Sequence, residues 1–216
     1  MKSGPAKACR LNRCITRSLA TKAVCKQSRM GDRRRHIFLV GFSGTGKTTV
    51  GRELARALQR PFVDTDKMIA SQSKQSIPDL FARRGERYFR KLEHRTIRET
   101  ARAGRKAKVI ALGGGAFESR ANREIVAETG VSIWLSCAVR EIYRRLREKN
   151  DRPLLHVRPR RGQTRRQAAL GRIATLLEKR LPNYRRADLR VATTNRDIAE
   201  VVERIIERLD KRYASY

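Results

Sequence analysis

The sequence predicts an α/β fold, a three-layer αβα sandwich on a parallel sheet. Three observations carry that prediction. Short apolar runs alternate with stretches whose apolar residues recur at three- and four-residue steps, as buried strands joined by crossover helices would. The first run leads directly into a glycine-rich stretch, "GFSGTGKTT" (41–49), and then into a helical pattern. The length, 216 residues, suits one domain large enough to bury a core without disulfides.

Taken in order, "IFLV" (37–40) is the first strand and stops at a glycine. "KTTVGRELARAL" comes next, with Val50, Leu54 and Leu58 at four-residue steps, so the glycines lie at a strand-to-helix turn. "PFVDTDKMI" (61–69) is an apolar pair running into Asp64, Thr65 and Asp66, read as an extended chain on which the two carboxylates point to opposite faces. "SIPDLFARRGERYFRKLEHRTI" (76–97) starts a helix, breaks at Gly85-Glu86, and resumes with Phe89, Leu92 and Thr96 on one side and Arg90 among them. "VIAL" (109–112) and "SIWL" (132–135) are further strands, the first leading to Gly113, Gly114 and Gly115, where something is expected to approach the backbone closely. "NDRPLLHVRPRRGQTRR" (150–166), rich in Arg with two prolines and a glycine, reads as a mobile loop. "LRVA" (189–192) is a weaker strand. The last helix carries Ile198, Val201, Val202, Ile205, Ile206 and Leu209 as a stripe for the sheet, with Thr194 or Asn195 as its cap.

Residues 1–29 hold eight basic residues and no acidic one. They lack the apolar core of a secretory signal. Their acid-poor, Arg- and Ser/Thr-containing composition is shared by transit peptides, by disordered tails, and by translation from a start upstream of Met30; the reading adopted is a basic, disordered leader over 1–32 before a single domain over 33–216. Lys and Arg number 52 against 21 Asp and Glu, a formal net charge of +31. Such a balance raises nucleic acid or an anionic surface as a partner. No known nucleic-acid-binding motif occurs, and aromatics at 6% are few for stacking platforms, so no specific nucleic acid is expected, only salt-dependent adhesion. No apolar run is long enough to span a membrane. Cys9, Cys14, Cys25 and Cys137 show no CxxC spacing, which argues against a zinc site or a disulfide framework and fits a reducing cytoplasm.

The glycine loop carries the chemistry. Gly41, Gly44 and Gly46 allow successive backbone N–H groups to close around phosphate oxygens at a helix N-terminus. In that pattern Lys47 reaches the β- and γ-phosphates and the Thr48 hydroxyl ligates Mg²⁺. A kinase also needs a carboxylate near the metal and a group to accept a hydroxyl proton, for which Asp64 and Asp66 are candidates.

With "GFSGTGKTTVGRELA", "FVDTD", "IPDLFARRGERYFRKLE", "ALGGGAF", "RPLL" and "EKRLPNYRRAD" in this order, the sequence resembles the shikimate kinases, small P-loop enzymes of the nucleoside-monophosphate-kinase type, from about residue 36 to 210. The resemblance implies a P-loop kinase fold with a helical substrate-binding segment over about 64–98 and a mobile lid over about 150–166. It implies transfer of the ATP γ-phosphate to the 3-hydroxyl of shikimate, giving shikimate 3-phosphate and ADP in chorismate and aromatic amino-acid biosynthesis. By the same resemblance Asp66 bonds the reacting hydroxyl, and Asp64 supports Mg²⁺ beside its ligand Thr48. Arg90, oriented by Glu93, and Arg180 hold the substrate carboxylate, and Gly114 and Gly115 bond the substrate. The catalytic set is Lys47, Asp66 and the lid's Arg152. ATP is expected against Gly44, Thr45, Gly46, Lys47, Thr48, Thr49, Arg145, Arg152 and Arg196. At Asp197 the chain departs from a position that is often Arg in the family. A monomeric, cytoplasmic enzyme is expected, with no membrane partner. A gluconate kinase would share the P-loop without the other motifs, and a basic nucleic-acid-binding protein is the reading from another class.

Overall fold

The computed structural model describes residues 35–148 and 158–213; the leader and residues 150–157 of the lid segment, Arg152 included, lie outside them. The order of elements is β1 (His36–Val40), α1 (Lys47–Ala57), β2 (Phe62–Asp64), α2 (Thr65–Ser73), α3 (Ile77–Arg102), β3 (Val109–Ala111), a 3₁₀ turn (Ala116–Glu118), α4 (Arg120–Thr129), β4 (Gly130–Ser136), α5 (Val139–Arg147), α6 (Arg165–Tyr184), β5 (Leu189–Ala192) and α7 (Ile198–Tyr213). All strand pairs are parallel, in the order β2-β3-β1-β4-β5.

The strands β1, β3 and β4 are apolar runs because both of their faces are covered. One face is packed by α1 and α7: Ile37, Leu39, Val109, Ile133 and Leu135 meet Val50, Leu54, Val201, Ile205 and Leu209. The other is packed by α3 to α6: Phe38, Val40, Ile110, Leu112 and Trp134 meet Ile97, Val126, Ile142, Ile173 and Tyr184. Gly51 lets α1 lie close on the sheet, since a Cβ there would stand 2.5 Å from Phe62 Cε2. These two cores give the three layers expected from the sequence.

Several local expectations need correction. The chain is extended only as far as Asp64; Thr65 and Asp66 already belong to α2, so the two carboxylates are set by a helix start and not by strand alternation. The cap of α7 is neither Thr194 nor Asn195. Asp197 Oδ1 accepts from Glu200 N at 2.7 Å, whereas Thr194 Oγ1 accepts from Ala138 N at 2.9 Å and Asn195 is left-handed with φ 52°. Strand β5 lies at a sheet edge with only Val191 fully buried, which explains its weaker apolar pattern. Residues 165 and 166 of the expected lid are the first turn of α6, capped by Thr164 with a reciprocal bond from Gln167. The expected break in α3 is present: Gly85 takes φ 77°, ψ 167° between its two helical parts.

Candidate active site

Four loops at the carboxyl ends of neighbouring strands build one cavity. After β1 the chain turns through Gly41 (φ 140°), Gly44 (φ 85°) and Gly46 (φ 95°), conformations that L side chains rarely adopt. Gly46 is the N-cap of α1 without a side-chain bond, so the first amides of α1 face the cavity. Lys47 Nζ donates to Gly41 O at 2.8 Å and to Phe42 O at 2.9 Å, which lays its ammonium across the loop. Thr45 is buried and its hydroxyl donates to Phe42 O at 2.9 Å. Its side chain therefore holds the loop closed, and only its backbone is offered to a ligand. Thr49 and Gly44 line the same cavity.

The end of β2 supplies the carboxylates. Asp64 caps α2, with Oδ1 accepting from Lys67 N at 3.2 Å and Oδ2 from the Thr48 hydroxyl at 2.7 Å. This pairing of a hydroxyl with a carboxylate beside the phosphate loop is a hard-oxygen donor set that fits Mg²⁺, which is commonly held by one or two carboxylates plus substrate phosphates. Asp66, in the first turn of α2, points toward Gly113 after β3: a Cβ built on Gly113 would stand 2.5 Å from Asp66 Oδ1 and 2.8 Å from Glu93 Oε1. Thr65, fully buried between them, donates to Ala111 O and accepts from Gly113 N, both at 3.2 Å. It ties the carboxylate turn to the glycines.

Two guanidinium groups converge on those glycines. Arg90 donates from Nη1 to Glu93 at 2.9 Å and from Nε and Nη2 to Glu86 at 3.2 and 3.1 Å. It lies over Phe89 and Phe81 and within 2.9 Å of where a Cβ on Gly115 would be. Arg180, over the Phe42 ring, donates to Gly114 O at 3.1 Å; the Tyr184 hydroxyl donates to the same oxygen at 2.5 Å. Glu93 is 1% exposed, its Oε1 has no hydrogen-bond partner among the described residues, and burial pushes its carboxyl above the usual range against the opposing pull of Arg90. Burial likewise pushes the Tyr184 phenol upward, so it stays a donor at any working pH.

On the far side of β1, Arg145 of α5 donates to Thr193 O at 2.7 Å and to Glu141 at 2.7 Å, and Arg196 donates to Ala192 O at 3.0 Å and Glu200 at 2.9 Å. Both line the cavity, and both are fixed by their own loop and helix. The cavity, about 1220 Å³, brings together every site residue expected from the sequence except Arg152; it is larger than the range usual for one small ligand and has room for a nucleotide and a second molecule. Sequence reasoning marked Gly113 only as one of three glycines of close approach and did not assign Thr65 or Tyr184. Tyr184 is the tyrosine of "LPNY" and was within reach of that motif; the Thr65 hydroxyl carries no sequence signal.

Known proteins match this arrangement. The profile described as shikimate kinase matches residues 43–210. A shikimate kinase of Chlorobium limicola is 41% identical over 169 residues, 78% of this chain and 83% of its own. The solved shikimate kinase from Acinetobacter baumannii in complex with shikimate superposes with a TM-score of 0.74 at 33% identity, over 82% of this chain and 94% of that one. A gluconokinase from Sinorhizobium meliloti reaches a TM-score of 0.53 at 16% identity, over 86% of this chain and 97% of its own, a likeness of fold alone. With a family match over most of its length and this cavity at its strand ends, the chain belongs to the shikimate kinase family.

Proposed function

We propose that the shikimate kinase reaction of this chain, transfer of the ATP γ-phosphate to the 3-hydroxyl of shikimate, is carried by Asp66 as base between an arginine clamp and the phosphate loop. The observation that supports this reading is the convergence of Asp66, Arg90 and Arg180 on Gly113–Gly115, in the cavity that also holds Lys47 and Thr48. The substrate carboxylate lies between the forks of Arg90 and Arg180, a planar pairing that a lysine would not reproduce. The 3-hydroxyl then faces Asp66. As its oxygen bonds to the γ-phosphorus, the proton passes to the Asp66 carboxylate and the bond to the β-phosphate oxygen breaks, releasing ADP. Lys47 and the loop amides hold the phosphate oxygens in place. Thr48 and Asp64 would hold Mg²⁺, which would neutralise charge on the β- and γ-phosphates. A monomer is the working unit proposed; the cytoplasm is the location proposed from the cysteine pattern, and no described helix is long and apolar enough to cross a membrane.

The test is ADP release coupled to a second enzyme, with Mg·ATP and shikimate or gluconate. Turnover is expected with shikimate only. Asp66→Asn should keep ATP affinity and lose about 10²–10⁴-fold in kcat, the range of a positioned base. The defect of Asp64→Asn should instead be partly relieved by raising Mg²⁺. Normal turnover in Asp66→Asn would leave that residue only a positioning role.

A further inference from the structure

Positive charge is unevenly paired on this surface. On several helices arginines sit within a turn of an acid: Arg144 and Arg145 share Glu141 at 2.8 and 2.7 Å, and Arg196 and Arg204 share Glu200 at 2.9 and 3.1 Å. The outward face of α3 differs. Beyond the break at Gly85, Arg87, Lys91, Arg95, Arg98 and Arg102 are all exposed and succeed one another at steps of three or four residues. That spacing makes one row along about four turns, roughly 22 Å long. Among the described residues only Arg95 of these five has an acidic partner, Glu99 at 2.7 Å.

The opposite face of α3 buries Phe89, Glu93, Thr96 and Ile97, so the row cannot turn inward. Tyr88 borders it, 45% exposed, with the Arg84 guanidinium 5.6 Å from its ring centre. At the far end Arg105 and Lys106, with Arg35, line a shallow cleft.

We propose that the outward face of α3 binds the sugar-phosphate backbone of single-stranded nucleic acid without reading its sequence. Like charges at three- and four-residue spacing repel one another, and a polyanion laid along them relieves that repulsion while releasing its condensed counterions. Tyr88 offers a ring on which a base stacks. An anionic membrane is the poorer fit, because the apolar side of α3 is in the core and the only other large exposed apolar residue among those described is Ile198, on α7.

The test is fluorescence anisotropy of end-labelled 20-nucleotide oligo-dT and of a mixed-sequence RNA with the full chain, from 25 to 200 mM KCl. Both should bind, with affinity falling steeply with salt. The variant Arg87→Gln/Lys91→Gln/Arg98→Gln/Arg102→Gln should bind at least about tenfold more weakly at 0.1 M salt, and its log–log salt slope should shrink by about 2.8, near 0.7 for each cation removed. Its shikimate-dependent ADP release should stay within about twofold of the parent, since none of the four lines the active-site cavity. A control of equal charge change, Arg52→Gln/Arg56→Gln/Arg140→Gln/Arg185→Gln, should retain binding. Should the first variant lose turnover, Arg98→Gln/Arg102→Gln is read in its place, with a slope reduced by about 1.4. The proposal is overturned by no binding at 25 mM salt, by equal weakening in row and control variants, or by dependence on the row only for vesicles containing phosphatidylserine.

Discussion

Gly113→Ala perturbs the reaction without removing any group that carries charge. Gly113 is not among the glycines at positive φ, so alanine fits its backbone and the effect is steric. The new Cβ would lie 2.5 Å from Asp66 Oδ1 and 2.8 Å from Glu93 Oε1, where ordinary contact begins at 3.4 Å. The two atoms must therefore give way by about 0.9 and 0.6 Å. Glu93 has little freedom, being 1% exposed and bonded to Arg90 at 2.9 Å. Asp66 borders the open cavity, so it is Asp66 that moves. A displacement of this size at a catalytic group costs about 10²-fold in rate. In the coupled ADP-release assay kcat should fall by about that factor. KM for ATP should stay within about twofold, because Lys47, Thr48 and the loop are untouched. Circular dichroism and the thermal midpoint report whether the backbone yields instead. Parent-like kcat in a folded Gly113→Ala protein would refute both the displacement and the placement of Asp66 at the reacting hydroxyl.

Arg90→Ala or Arg180→Ala should weaken shikimate by roughly 2–5 kcal/mol with little effect on ATP, the cost of leaving a carboxylate unpaired, and Lys should rescue poorly; isothermal titration with each ligand separates the two effects, and parent-like shikimate affinity would make that arginine structural. His36 gives a pH prediction. Its Nδ1 accepts from Lys108 N at 3.0 Å and its Nε2 faces Ala101 O at 2.8 Å, so the ring is neutral, and burial holds its pKa below 6.5. The unfolded chain therefore takes up this proton first. The stability contributed by His36 is present above pH 6.5 and declines as pH falls toward the folded pKa, by at most about 1.4 kcal/mol per pH unit. Urea unfolding at pH 5.5 and 8 should show a smaller pH effect in His36→Gln than in the parent, and equal effects would remove His36 from the account.

The layers and most of the strands were legible because a parallel sheet covered on both faces produces unbroken apolar runs, as at 37–40, 109–112 and 132–135. The boundary between β2 and α2 was not legible: three residues are too few for a periodicity, and the helix starts on polar residues, Thr65 and Asp66. The α7 cap was misplaced by two or three residues because three potential cap residues, Thr194, Asn195 and Asp197, stand close together, and only the fold shows that Thr194 serves Ala138 instead. Lys47, Thr48 and the paired Asp residues were legible through motif and spacing. Thr65 was not, and of Gly113 only the close approach was, since its bond to Thr65 joins the ends of β2 and β3 and appears only when those strands pair.

The strand order explains why groups spread over most of the chain meet in one cavity. β1 lies between β3 and β4, so successive connections leave it in opposite directions, and a crevice opens at the carboxyl end where they part. The phosphate loop sits at that point. On one side lie β3 with its glycines and β2 with its carboxylates, and α3 brings Arg90 and Glu93 to them. On the other side β4 and β5 lead into the segments that hold Arg145, Thr193 and Arg196. Residues proposed for the distal part of the nucleotide thus belong to the β4–β5 half of the sheet, and those proposed for the phosphate acceptor to the β2–β3 half, joined there by Arg180 and Tyr184 of α6 through their bonds to Gly114 O. The loop after β1, with Lys47 and Thr48, adjoins both, and Thr48 does so through its bond to Asp64. A substitution on the β2–β3 side can therefore alter acceptor binding or proton transfer and leave the nucleotide's hold intact, whereas a change at the loop itself acts on both halves at once.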